Sequence, residues 1–163
     1  MLMELNHLDQ ETLLKKARSR VLRLLGYRAR SAREVEEYLE RKGYSKDLAD
    51  RIIEEMKSYG YLDDHRFAAD FISFRKTGGH GSKKIRYELQ ARGVDRQIVD
   101  RLIDENFNPE EDLDRIRELL TKREPFNGQV DQRWVNRQAA FLKRRGFPDG
   151  LILKALKNYD LSE

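Results

Sequence analysis

Cysteine is absent from this chain of 163 residues, which excludes a disulfide framework and any thiolate metal or redox site. Its absence, with no basic start and no apolar leader in Met1–Gln10, leads us to expect a cytoplasmic protein. No apolar run is long enough for a membrane span, so no membrane partner is expected. Prolines number only three. No segment joins β-branched enrichment to period-two alternation, so sheet is not expected. The histidines are also few: His7, His65 and His80 lie far apart, with no carboxylate at metal-ligand spacing. No metal site and no cofactor are therefore expected. Gly78-Gly-His-Gly81 lacks the lysine and hydroxyl ending of a phosphate-binding loop and follows a helix, so it reads as a flexible turn. Asp63-Asp64 could hold a cation, but N-capping of a helix explains the pair more simply. No nucleophile–base pair arises from local spacing, and the chain is not read as an enzyme.

Charge, by contrast, is plentiful and unevenly placed. With 33 basic and 29 acidic residues the formal net charge is +4. Residues 12–33 nevertheless hold Lys15, Lys16, Arg18, Arg20, Arg23, Arg28, Arg30 and Arg33 with no acid among them. Shorter basic runs hold Arg75, Lys76, Lys83, Lys84 and Arg86, then Arg133, Arg137, Lys143, Arg144 and Arg145. Acidic residues gather elsewhere, at Asp50, Glu54 and Glu55, at Asp100, Asp104 and Glu105, and at Glu110–Asp112. Such segregation suits a polyanion or an acidic protein groove. The simpler reading of any one cluster is that lysine and arginine are soluble helix formers.

Three glycines organise the chain. Leu39-Glu-Arg-Lys-Gly43, Leu89-Gln-Ala-Arg-Gly93 and Leu142-Lys-Arg-Arg-Gly146 are spaced by 50 and then 53 residues, about one three-helix unit per period. The predicted organisation is an N-terminal extension over residues 1–14, partly helical or frayed, then repeats over 15–62, 63–107 and 108–160. In the first, Leu13, Leu14, Ala17, Val21, Leu24 and Leu25 recur at helical spacing. Ser31 and Glu34 form a capping box, Ser45 caps the third helix, and Gly60 suits its end. In the second, Phe67, Phe71 and Phe74 are read as core, Ser82 as a cap and Asp95 as another. In the third, Pro109 fits a first helical turn, a longer loop spans Glu124–Val130, and Trp134 either anchors a partner or closes the core. Asn106–Pro109 reads as a hinge, so the second junction is expected to be looser than the first. Tyr27, Tyr44, Tyr61 and Tyr87 flank basic residues or turns; core-rim packing is favoured over stacking on a ligand. With no long uncovered apolar stripe, a monomer is expected.

Several of these motifs are similar to those of the RecX family, bacterial regulators of the RecA recombinase. The likeness is carried by Arg30-Ser31 with Glu34, Leu39 and Gly43, and by Gly60-Tyr-Leu-Asp-Asp64 followed by Phe67-Ala68. It continues with Gly81, Ile85, Glu88-Leu89 and Gly93, and with Phe141-Leu-Lys-Arg-Arg-Gly-Phe147, over roughly residues 15–158. Gln138 departs from it, standing where the other repeats have Val35 and Ile85. The resemblance implies an all-α protein: three tandem three-helix repeats forming an elongated, curved right-handed-helix array. It also implies binding to RecA filaments and suppression of ATP hydrolysis and strand exchange, with single- or double-stranded DNA as a further partner.

The expected contact surface is a basic concave face of Arg28, Arg30 and Arg33, then Lys76, Lys83, Lys84 and Arg86, extended by Arg133 and Arg137. Reversing Lys83, Lys84 and Arg86 to glutamate is expected to leave folding intact and abolish inhibition. The alternative is a sequence-independent DNA-binding helical module. Base reading by helix-turn-helix units is less favoured, because the second helices lack a recurrent set of base-reading side chains.

Overall fold

The computed structural model describes residues 2–125, 130–157 and 159, with side chains from residue 9 onward. Asn127 and Gly128 of the long loop therefore lie outside the described residues, as does most of the chain beyond Lys157. The described residues form nine α-helices and no strand. In order these are α1 (Leu2–Tyr27), α2 (Ala32–Arg41), α3 (Lys46–Ser58), α4 (Asp64–Thr77), α5 (Ser82–Ala91), α6 (Arg96–Asn106), α7 (Pro109–Thr121), α8 (Gln132–Arg145) and α9 (Asp149–Leu156). The chain divides into two compact units, Met1–Phe67 with Arg92–Asp95, and Ala68–Ala91 with Arg96–Glu163.

In the first unit the apolar periodicity becomes one core. Leu14, Ala17 and Val21 of α1 meet Val35 and Leu39 of α2, and Ala49, Ile52, Ile53 and Met56 of α3, with Leu62 closing the group. The start of α2 is fixed locally. The Glu34 amide donates to Ser31 Oγ at 3.2 Å and the Ser31 amide to Glu34 Oε2 at 3.1 Å, the reciprocal capping expected from the sequence. Two further bonds were not legible. The Ala32 amide donates to Asp64 Oδ1 at 2.8 Å, and the buried Ser31 hydroxyl donates to the Arg92 carbonyl at 2.6 Å. The two aspartates thus differ: Asp63 caps its own helix through the Arg66 amide at 3.0 Å, while Asp64 satisfies a donor of α2. Arg18 and Glu55 tie α1 to α3 through a two-point ion pair, at 2.5 and 2.9 Å.

In the second unit, buried Ile72 of α4, Ile85 and Leu89 of α5, and Val99, Leu102 and Ile103 of α6 repeat the pattern. Leu113, Ile116 and Leu120 of α7 pack with Trp134 and Leu142 of α8, Phe147, and Ile152 and Ala155 of α9. Trp134 belongs to this core, and its indole N–H donates to the Arg123 carbonyl at 3.1 Å. Gln138 is buried where its counterparts are apolar because it has a partner: Arg123 Nε donates to its oxygen at 2.6 Å.

Four expectations are corrected here. The Thr77–Gly81 turn is held, since the Gly81 amide donates to the Arg145 carbonyl at 2.8 Å and the Lys83 amide to the Gly146 carbonyl at 3.0 Å. The start of α5 therefore rests on the carbonyl end of α8, where donors meet acceptors and the helix dipoles are complementary. Nor is Asn106–Pro109 a loose hinge. Lys76 Nζ donates to the Asn106 carbonyl at 2.5 Å, and Arg115 donates to the carbonyls of Lys76 and His80, both at 2.8 Å. Phe74 is 75% exposed instead of core, because α4 turns Ala68 and Ile72 inward. Ser82 is the first residue of α5, and Gly81 precedes it.

Candidate functional site

The structure places Arg28, Arg30 and Arg33 in the first unit, at and just after the link from α1 to α2, and the other six candidates in the second. Most are engaged within the protein. Arg28 pairs with Glu34 at 2.9 Å and Arg33 with Glu37 at 3.1 Å. Lys76 contacts Glu111 at 3.4 Å and lies over the Phe107 ring, 5.2 Å from its centroid. Lys83 pairs with Asp149 at 2.8 Å, and Arg86 pairs with Asp100. Lys84 is half-buried, with its backbone against Gly146. Arg30 is half-buried, with its Nε unpartnered among the described residues; burial, then the nearby Arg28 cation, lowers its pKa from the usual guanidinium value. Arg133 and Arg137 sit one turn apart on the exposed side of α8, with no ion pair among the described residues.

These pairings alter the electrostatics of the expected face. The hydrogen bond from Lys83, helped by the charges of Lys83 and Lys143, holds the Asp149 carboxyl below its ordinary range. Arg18 does the same to Glu55 by hydrogen bond, against the opposing effect of burial. A Lys83, Lys84 and Arg86 reversal would set new carboxylates against Asp149 and Asp100. Both pairs are at least partly exposed, so the reversal is expected to lower stability modestly.

Sequence reasoning did not select one group of first-unit cations that have no carboxylate partner among the described residues. A cleft of about 550 Å³ between α1 and α2 is lined by Lys16, Arg20, Arg23 and Lys42, with Ser19, Leu24, Tyr27 and Tyr38. The signal was present: 16, 20 and 23 fall at i, i+4 and i+7, one helix face. Tyr27, Tyr61 and Tyr87 are 81%, 60% and 72% exposed, against the expected rim packing. Tyr44 does pack against the core. His65 is exposed. Among the described residues no group of three or more metal-ligating side chains could hold an ion, and no helix is long and apolar enough to cross a membrane.

Comparison with known proteins fits these elements. The family model of the first three-helix domain of RecX matches residues 17–56, from the middle of α1 to near the end of α3. That of the second matches residues 63–103, spanning α4 to most of α6. The regulatory protein RecX of Chlorobium phaeobacteroides is 32% identical over 143 residues, covering 87% of this chain and 92% of that protein. The chain belongs to the RecX family. A RecX of Halorhodospira halophila is 34% identical over 131 residues, covering 80% of each chain. The RecX of Oceanobacillus iheyensis is 28% identical over 158 residues, and this chain spans only 58% of its length. Two RecX crystal structures share the fold. One has a TM-score of 0.81 at 21% identity, covering 98% of this chain and 78% of that one. The other, from Lactobacillus salivarius, has a TM-score of 0.78 at 21% identity, covering 90% and 96%.

Proposed function

We propose that this chain is a non-enzymatic cytoplasmic regulator that binds the RecA–DNA filament and lowers its ATP hydrolysis and strand exchange. Membership of the RecX family of regulatory proteins carries the reading. It is supported by exposed Arg133 and Arg137, which have no ion pair among the described residues and suit carboxylate or phosphate contact. The test is DNA-dependent ATP hydrolysis by a bacterial RecA, with single-stranded DNA in excess, titrated with this protein. Loss of hydrolysis at protein levels well below RecA is the expected result. Unchanged hydrolysis alongside salt-sensitive binding to bare DNA would move the assignment to the DNA-binding module. That second reading is favoured by the uncompensated cations of the α1–α2 cleft.

A further inference from the structure

We infer that the cleft between α1 and α2 binds a run of nucleotide phosphates with a base stacked on Tyr27. The inference stands on the first unit alone and does not depend on the filament reading.

Four cations line this cleft, and no acidic side chain does. None of Lys16, Arg20, Arg23 or Lys42 is paired with a carboxylate among the described residues, whereas Arg28 and Arg33, further along the same acid-free run, are. Like charges gathered without counter-charge repel one another, and an incoming anion relieves that repulsion. Lys16 and Arg20 are four residues apart on α1, and Arg23 is three beyond. At about 1.5 Å of rise per residue their heads step along the axis by roughly 6 and then 4.5 Å, the scale of consecutive phosphates on a strand or in a polyphosphate. Ser19 adds a hydroxyl donor between them.

Aromatic placement separates this ligand from a simple anion. Tyr27 lies at the end of α1 with 81% of its surface exposed. Tyr38 forms the opposite lining, and Lys42 Nζ sits 5.8 Å from the centroid of its ring. A cationic track beside an uncovered ring is the arrangement that holds phosphates and stacks a base without reading sequence. An acidic peptide would satisfy the cations and leave Tyr27 bare, so the nucleotide is preferred. The same chemistry serves a single strand or a free nucleoside polyphosphate.

The test is anisotropy of a fluorescein-labelled oligothymidylate titrated with the full chain at about 50 and 200 mM salt. Arg20→Glu/Arg23→Glu is expected to weaken binding at least about tenfold and to reduce the log–log salt slope by about 0.7 for each phosphate no longer neutralised. Tyr27→Ala is expected to weaken binding roughly tenfold with the slope unchanged, because stacking releases no counterions. Lys154→Glu/Lys157→Glu, two exposed changes in the other unit, match the loss of four charges and control for net charge. Displacement by adenosine triphosphate as well as by unlabelled oligonucleotide identifies free nucleoside polyphosphate as a ligand; displacement by oligonucleotide alone identifies a strand. Both support the site. No binding of either, displacement by a glutamate peptide alone, or wild-type affinity in the Arg20→Glu/Arg23→Glu or Tyr27→Ala variant overturns it.

Discussion

Gly146 lies against the backbone of Lys84 so closely that a Cβ on the glycine would overlap the Lys84 amide. Gly93 stands in the same relation to the side chain of Arg33, within the first unit. In both places the residue before the glycine, Arg92 or Arg145, offers its carbonyl to position 31 or 81 at the start of a second helix. The glycine that ends one helix is thus also the floor on which another helix begins. Gly43 has the same left-handed backbone, with φ +83°, and open space around it. Gly43→Ala is therefore expected to cost roughly 1–2 kcal/mol from backbone strain alone. Gly146→Ala, with φ +85° and no room, is expected to cost about 3 kcal/mol or more. Urea denaturation of the two variants checks the ordering; equal losses would mean the second joint is not close-packed.

Ser31 serves two partners with one hydroxyl, accepting from the Glu34 amide and donating to the Arg92 carbonyl. Ser31→Ala removes both the cap and the bond to the Arg92 carbonyl. A loss of about 1–2 kcal/mol is expected, against a few tenths for an exposed cap such as Ser45, whose bond to the Leu48 amide is 3.4 Å. Chemical denaturation of the two serine variants gives the comparison.

Such features sort by range. Ser31, Ser45 and the glycine helix ends were legible because capping is settled within about four residues. The roles of Asp64 and Gly81 were not, since their partners are Ala32 and Arg145, 32 and 64 residues away. Gln138 looked like a break in the core pattern, and only Arg123 explains it. The cations show the same limit. Their clustering was visible, but the pairing of Lys83 with Asp149 spans 66 residues, so sequence could not tell engaged cations from open ones.

His80 gives a pH prediction. Its Nδ1 is buried without a hydrogen-bond partner among the described residues, and burial, then Arg75, Lys84 and Arg145, lower its pKa. Glu88 acts the other way but is bonded to Arg75, at 2.7 Å from Nε. Above the unfolded imidazole value of about 6.5 neither state holds the proton. Just below it the unfolded state takes one up and the folded state does not, so stability falls as pH falls. The loss continues down to the lowered folded value. Urea midpoints measured between about pH 7.5 and 5.5 are expected to drop further for the native chain than for His80→Gln. Parallel curves would remove His80 as the cause.

Charge reversal separates the two kinds of cation. Lys83→Glu sets a carboxylate facing Asp149, whose pair with Lys83 is 2.8 Å in the native protein, so a modest loss of stability is expected, of about 1 kcal/mol or less because the pair is exposed. That loss should shrink as salt rises, since screening acts on exposed charges. Any fall in regulatory activity of this variant is then ambiguous. Arg133→Glu/Arg137→Glu disturbs no described ion pair, and both side chains are exposed. Its melting temperature should match the native chain within a degree or two, while inhibition of filament ATP hydrolysis should fall several-fold if these arginines face the filament. Full inhibition by the folded variant would remove them from the contact surface.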